Sequence, residues 1–489
     1  MYLLQKKKKK NKKVKVKEKE KLNYNIQAKL LSLAFLIIID YECSSTVYTA
    51  SMRMQAGLLW NEFFNYIQSV ENMKQVCIVG AGTAGLCSAR RVLENKMSPT
   101  IYEQTDKIGG TWVYTDQVGT DKYGLDIHSS MYQGLRTNLP KEVMGYPDYQ
   151  IQGPDISYVP SEVIQNFLEQ FTNKYQLKNC IKFLHYVVNI IPKRDKWQVI
   201  VNDLKKQSVK YELFDYVLVC NGHYHTPLYP SIKGADIYKG FQLHSHDYKN
   251  SNRFKDETVL IIGAGPSGMD LCHEISKVAK KVTLSHHLPE PSKTEFRTNV
   301  DQKPDVKYMD EKRIHFMDGS IDEYSIIFYC TGYKYSFPFL SIDCDIHVDD
   351  NYVQPLYKHC ININHPSMAF IGIPYYVCAA QMCDLQARFC MKYWTGQKSL
   401  PNRQEMLIDT NHEMNSRFIK GYKKRQAHMM GEEQGFYYTD LAKNADIEDI
   451  KPVMSLLHNE SSRRFMDDLL HFRDDIFRIV DDKHFIKIN

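Results

Sequence analysis

Six glycines in two sets carry the most legible chemistry in this chain. Gly80, Gly82 and Gly85 stand at the spacing G-x-G-x-x-G, and Gly263, Gly265 and Gly268 repeat it far downstream. In such a turn the first glycine makes a tight bend, the second lets a pyrophosphate approach the backbone, and the third lets a helix pack closely on a strand. The phosphates then rest against the unpaired N–H groups and positive end of that helix. Ser267, inside the second turn, is a further expected phosphate contact. A chain with two dinucleotide sites is most simply a device for passing electrons between two dinucleotides.

The residues downstream of each turn separate the two sites. Glu103 lies about eighteen residues past Gly85, at the end of a β-like run, where a carboxylate accepts hydrogen bonds from an adenosine ribose. Gly109 and Gly110, followed by Thr111 and Trp112, give a second place for backbone to approach a ligand. This is the pattern of an FAD site, although Trp112 equally fits simple packing. The second set lacks the acid: its strand ends in Ser285, followed by His286 and His287. A carboxylate there would repel a 2′-phosphate, whereas hydroxyl and imidazole do not, so the second site is expected to take NADPH. Exposed loop histidines are the plainer alternative.

These residues need a strand, a turn and a helix each, and the sequence supplies them. Val76, Cys77, Ile78 and Val79 precede the first turn, and Val259, Leu260, Ile261 and Ile262 precede the second. Apolar residues at helical spacing follow both (Leu86, Ala89, Val92, Leu93; Met269, Leu271, Ile275, Val278). The expected fold is α/β, with two Rossmann-like dinucleotide-binding domains, one inserted in the other. The FAD domain takes residues 73–225 and resumes at 326–489 with a helical, charged C-terminal region, while the NADPH domain takes 226–325. Residues 161–177 read as an amphipathic helix, 215–220 as a short apolar strand, 226–230 as a Pro-bearing crossover and 368–373 as a further strand.

Bulk properties set outer limits. The 489 residues are 43% hydrophobic and 25% charged, as in an ordinary globular protein of two or three domains. Residues 6–21 hold 11 Lys and 2 Glu, a local charge of +9 against +6 for the whole chain, so the remainder sits near −3 and gives no case for nucleic-acid binding. After the lysines comes an apolar run at 30–39, too short for the roughly 20 residues that span a bilayer. Residues 1–72 are expected to lie outside the fold: a leader absent from the working protein, a signal or anchor, or a basic tail. The cytoplasm is the expected location, with the secretory pathway as alternative if residues 1–50 act as a signal. Cys77, Cys87, Cys220, Cys272 and Cys330 fall in core strands or on helices beside the turns, where free cysteine acts as a small hydrophobe. No spacing suggests a disulfide framework or a metal site.

Later segments add up in order. Tyr238, Gly240, His244 and Tyr248 resemble the identifying motif of the flavin-containing monooxygenases, with Tyr238 in place of the usual phenylalanine. Residues 135–144, around Asn138, resemble that family's asparagine segment; Thr331 and Gly332 resemble its threonine-glycine strand; residues 384–388, with Gln386, are similar to a late family segment. The resemblance covers residues 73 to about 417 and is closest to the soluble, insect-type members, some of which N-oxygenate plant alkaloids. It implies that NADPH reduces FAD, that O2 adds to the reduced flavin at its C4a carbon, and that the resulting hydroperoxide passes one oxygen to an amine nitrogen or a thioether sulfur. It implies Asn138 as the residue that hydrogen-bonds beside that oxygen, Thr331, Gly332 and Gln386 as FAD contacts, and a small-molecule substrate, with a homodimer as an option. Relatives usually place an arginine where this chain has His287. Asn138 equally fits a loop or cap residue, and Thr331-Gly332 a plain turn.

Three other readings compete. A disulfide reductase needs a cysteine pair just after the Gly-Gly-Thr, and residues 113–144 contain no Cys. A Baeyer–Villiger enzyme acting on ketones usually carries Trp where Tyr248 stands. A catalytically dead dinucleotide-binding scaffold is opposed by the intact glycines, Glu103 and Asn138.

Overall fold

The computed structural model describes residues 73–288 and 294–489, and residues 73–489 form one compact unit. Expectations for residues 1–72 therefore lie outside the described residues.

The first glycine set sits in a seven-stranded sheet, in the spatial order Leu356–Tyr357, Ile361–Asn362, Met368–Phe370, Tyr216–Val219, Gln75–Val79, Ser98–Glu103 and Ile181–Phe183. From Met368–Phe370 to Ile181–Phe183 every pairing is parallel, with Ile78 opposite Ile101 and Leu218. A central parallel strand is covered on both faces, which is why Val76–Val79 reads as an unbroken apolar run rather than an alternation. One face packs on the helices Thr83–Glu94 and Ala379–Trp394, with Val76, Ile78, Leu86 and Leu385 fully buried. The other takes a three-stranded antiparallel sheet, His185–Lys193, Lys196–Asp203 and Ser208–Phe214, whose Trp197, Val199 and Val201 pack on Cys77, Val217 and Val219.

The second set sits in a five-stranded, all-parallel sheet, in the order Val300–Lys303, Lys281–Ser285, Thr258–Ile262, Ile326–Tyr329 and Phe241–His244. The strand Ile326–Tyr329 pairs residue for residue with Thr258–Ile262, so it belongs to this inserted fold. The expected boundary at residue 325 is corrected: it cuts off a strand that the second sheet needs. The true passage lies just beyond. The outgoing Thr226–Pro227 and returning Tyr333–Lys334 pair antiparallel, a two-strand ribbon joining the inserted fold to the outer one. The crossover expected at 226–230 is its outgoing half.

The five cysteines singled out above are buried, and burial alone pushes the Cys272 thiol up to about 12. Among the described residues no helix is long and apolar enough to cross a membrane. The C-terminus is more ordered than its charged sequence suggests. Helix Pro452–Asp467 leads into a turn at Phe472–Asp474, anchored by the buried Phe472, and a small hairpin, Phe477–Ile479 with Phe485–Lys487.

Candidate active site

The two glycine turns have the same construction. Gly80 has φ +100° and a Cβ there would stand 2.7 Å from the Cys220 carbonyl oxygen; Gly263 has φ +105° and its Cβ would stand 2.6 Å from that of Cys330. A Cβ on Gly85 would meet the Gly80 oxygen at 1.9 Å, and one on Gly268 the Gly263 oxygen at 1.8 Å. No side chain fits, so the third glycine is what lets each helix sit on its strand. The middle glycines differ in kind. The position a Cβ would take on Gly265 is open for 4 Å, and the one on Gly82 meets only the backbone of Gly110, at 3.6 Å. Gly82 and Gly265 are the N-caps of helices Thr83–Glu94 and Pro266–Ser276; neither helix has a side-chain cap or an acid in its first turn. Two uncapped helix starts, each with space before it and no acid in its first turn, fit two pyrophosphates.

One cavity of about 1960 Å3 connects these turns, and it is lined by Gly80, Gly82, Glu103, Asn138, Gly263, Gly265 and Ser267. Gly110, Thr111 and Trp112 line it too, on a short turn held by a Gly109 N–H bond to the Ala81 oxygen at 3.0 Å. Glu103 is built into the turn. One carboxylate oxygen accepts the Ala81 N–H at 2.9 Å, and the other accepts the Thr105 N–H and hydroxyl, both at 2.8 Å. The carboxylate thus staples the glycine turn to the end of the neighbouring strand; burial pushes its pKa up while these bonds pull against that.

Asn138 follows Arg136 and Thr137 in a loop pinned on both sides. The Thr137 N–H bonds the Val159 oxygen at 2.9 Å, and the Ser461 hydroxyl donates to the Asn138 carbonyl at 3.3 Å. The side chain is exposed within the cavity wall. Thr331 and Gly332 also line the cavity, but their polar groups close the ribbon. The Thr331 hydroxyl donates to the Leu228 carbonyl, and the Leu228 N–H donates to Gly332 at 2.9 Å, where φ is +86°.

Two expected contacts are corrected. Gln386 is fully buried and has no face on the cavity; its amide oxygen accepts the Gly372 N–H at 2.9 Å and its nitrogen donates to the Tyr437 hydroxyl at 2.7 Å. It supports Gly372, which does line the cavity. Ser285 is likewise fully buried, its hydroxyl donating to the Pro304 carbonyl at 2.8 Å rather than facing a nucleotide. His287 does reach the rim, with its side chain 74% exposed and 3.8 Å from Asp305. That aspartate, which nothing in the sequence pointed to, sets a negative charge beside the expected 2′-phosphate position.

His244 is buried between Tyr229 and Tyr333, its Nδ1 accepting the His246 N–H at 3.1 Å, a bracing role. Sequence reasoning missed the aromatic part of the wall: His223, Tyr224, Tyr333, Tyr335, Tyr375 and Tyr376. His223 follows Asn221 and Gly222 off the strand Tyr216–Val219, the one local hint of it; burial lowers its imidazole to about 4, so it is neutral. The pair Tyr375 and Tyr376 is separated from the other four in sequence, and nothing local announces that they meet. Tyr376 has φ +55°, a conformation that a bulky side chain rarely adopts, and its carbonyl accepts the Gly431 N–H at 3.0 Å.

The family described as flavin-binding monooxygenase-like matches residues 73–290 and 291–463. Senecionine N-oxygenase of Tyria jacobaeae is 33% identical over 428 residues, covering 86% of this chain and 93% of its own. Flavin-containing monooxygenase FMO GS-OX5 of Arabidopsis thaliana is 35% identical over 392 residues, covering 76% of this chain and 85% of its own. The solved structure of S-allyl-L-cysteine S-oxygenase from Allium sativum superimposes with a TM-score of 0.78 at 33% identity, over 82% of this chain and 95% of that one. Two matched dinucleotide turns on one cavity, and a family match spanning both sheets, lead to one conclusion: the chain belongs to the flavin-containing monooxygenases, enzymes whose cofactors are FAD and NADPH.

Proposed function

We propose that this protein uses NADPH and O2 to oxygenate the amine nitrogen or thioether sulfur of a small molecule, with FAD in the outer fold and the nicotinamide nucleotide in the inserted one. The observation that carries the reading is the single cavity onto which both uncapped helix starts and Asn138 open. Bound FAD supplies the redox chemistry, taking two electrons from NADPH and passing them to O2, so that one oxygen goes to the substrate heteroatom and the other to water. The protein contributes position, polarity and dryness. Gly82 and Gly265 admit the pyrophosphates to the backbone N–H groups, and Glu103 has lone pairs left to accept from a ribose hydroxyl. The Asn138 amide donates a hydrogen bond into the cavity where the nucleotide units converge. The wall of Tyr224, Tyr333, Tyr375 and Tyr376 gives an apolar substrate a dry surface and keeps water from the reacting atoms. No nucleophile or general-base pair is required of the protein.

The relatives' names support the heteroatom choice, one being an N-oxygenase and another an S-oxygenase. The test is NADPH oxidation by the FAD-loaded protein, screened over tertiary amines, thioethers and ketones with products weighed by mass spectrometry. An N-oxide or S-oxide, heavier by one oxygen, is expected. Ester formation from ketones alone would replace this reading by a Baeyer–Villiger one. A protein that binds no flavin or oxidises no NADPH would be a scaffold.

A further inference from the structure

The family match ends at residue 463, yet the polypeptide beyond it reaches the cavity. Phe472 is fully buried, edge-on to Tyr158 at 5.1 Å, and the Phe477 N–H donates to the Ser157 hydroxyl at 2.8 Å, which seats this segment on the outer fold. The Leu469 N–H donates to the Thr294 hydroxyl at 2.8 Å, and Thr294 belongs to the inserted fold. The C-terminal segment is therefore a strap across both.

Arg473 is its central contact. Its Nη1 donates to Asp270 at 2.6 Å, its Nε to the Thr137 carbonyl at 3.1 Å and its Nη2 to the Arg136 carbonyl at 3.3 Å. Arg136 returns the bond, its Nη2 donating to the Arg473 carbonyl at 2.9 Å. Asp270 lies on helix Pro266–Ser276, directly after the second glycine turn, and its other oxygen accepts the Tyr132 hydroxyl. One planar guanidinium thus holds the loop that ends in Asn138, the helix that starts at the second turn, and the strap itself. All three nitrogens are used, and the pair is largely shielded, with 14% of the Arg473 and 10% of the Asp270 side chain exposed. A fork of fixed donors makes these bonds at once; a lysine ammonium on a flexible stem does not reproduce them.

We propose that Arg473 is a positioning residue for the oxygenation: through the Arg136 and Thr137 carbonyls it fixes where Asn138 stands, and through Asp270 it fixes the gap between the two dinucleotide turns. The catalytic consequence rests on the function proposed above; the mechanical one does not. An arginine that merely stabilised the fold would loosen the whole molecule when removed, whereas a strap loosens what it grips.

The test compares Arg473→Met, Arg473→Lys and Asp270→Asn with the native FAD-loaded protein. Hydrogen–deuterium exchange is read at residues 135–140 and 266–276, and hydrogen peroxide released per NADPH is read with a tertiary amine present. For Arg473→Met we expect exchange at least tenfold faster in both segments, unchanged exchange in strands Gln75–Val79 and Thr258–Ile262, and at least a doubling of peroxide per NADPH. Arg473→Lys should recover less than half of either effect. Asp270→Asn, which keeps the side-chain volume, should loosen both segments to a lesser degree, and it carries the test if the Met variant does not fold. Unchanged exchange in both segments, or a uniform rise that includes the two core strands, overturns the proposal. If the native protein oxygenates no amine or thioether, the proposed function fails, and the exchange measurement still decides the strap.

Discussion

At the scale of single residues, the cavity separates groups that face ligands from groups that hold those groups still. In the proposed function, Asn138 is of the first kind. Replacing it with Ala removes one hydrogen-bond donor, worth about 1–3 kcal/mol where a buried partner is left unmet. Flavin content and the rate of flavin reduction by NADPH should stay near native, while hydrogen peroxide leakage rises several-fold and product falls. Unchanged product per NADPH would make Asn138 a loop residue only. His287 makes a second case. Its imidazole shares the rim with the Asp305 carboxylate, which would repel a 2′-phosphate bound there. His287→Arg should raise the preference for NADPH over NADH, because a guanidinium grips phosphate in two places, and Asp305→Asn should do so by removing repulsion. His287→Glu should erode or invert it. Steady-state kcat/KM ratios for the two nucleotides check all three, and ratios indifferent to every change would mean that the phosphate is held elsewhere. Glu103 and His287 are expected from their distance past a glycine turn and Asn138 from the family resemblance, and all three line the cavity. Sequence reasoning could not find Asp305, which the neighbouring edge strand Val300–Lys303 brings alongside the end of Lys281–Ser285, and it misassigned Ser285 and Gln386. Family resemblance or strand position named them, but only tertiary packing shows that their polar atoms already have partners inside the protein.

At the scale of elements, strand, turn and helix repeat so closely that blocking each turn separately is the direct test of which nucleotide it takes. Gly82→Trp fills the space beside Gly110 and should yield colourless protein. Gly265→Trp should leave the protein yellow and unable to take electrons from NADPH, with the flavin still reducible by dithionite. Absorbance at the flavin band and anaerobic reduction separate the two, and reversed phenotypes would exchange the site assignments. These elements were legible because a parallel strand buried on both faces must be apolar throughout and its glycine turn has nowhere to put a side chain. The boundary at 325 was not. Ile326–Tyr329 is an apolar strand that could join either sheet by composition, and only its pairing with Thr258–Ile262 decides.

At the scale of the whole molecule, buried imidazoles couple stability to pH. His244 and His428 are both nearly or wholly inaccessible. Burial, with His246 adding to it, lowers the His244 pKa to about 4, and burial together with His359 and Arg417 holds His428 well below its ordinary value. Unfolding frees both to protonate near pH 6.5. Between there and pH 4 the unfolded chain binds protons that the folded one does not, so the stability present above about 6.5 is lost as pH falls. Each imidazole contributes a slope of up to about 1.4 kcal/mol per pH unit. Thermal midpoints should drop steadily from pH 7 to 4.5, and His428→Gln should flatten that fall; an unaltered slope would assign the acid sensitivity to other groups. The C-terminal strap shows the limit of sequence reading at this scale, since Arg473 looks like one more charge in a charged tail until the fold brings it to Asp270.

The ribbon of Thr226–Pro227 against Tyr333–Lys334 has a consequence for how such a molecule is assembled and inherited. Because the chain leaves and re-enters through paired neighbours, with Thr226 opposite Lys334 and Pro227 opposite Tyr333, the inserted fold is topologically a long hairpin loop. A loop with adjacent ends can be grafted into, or cut from, a host at a single locus without rethreading either core. The stretch between those ends should behave as a portable cassette. Expressed alone as residues 226–334, it should retain 2′,5′-ADP on an affinity resin. The remainder, closed by an Asn-Gly turn in its place, should still hold flavin while losing all response to NADPH.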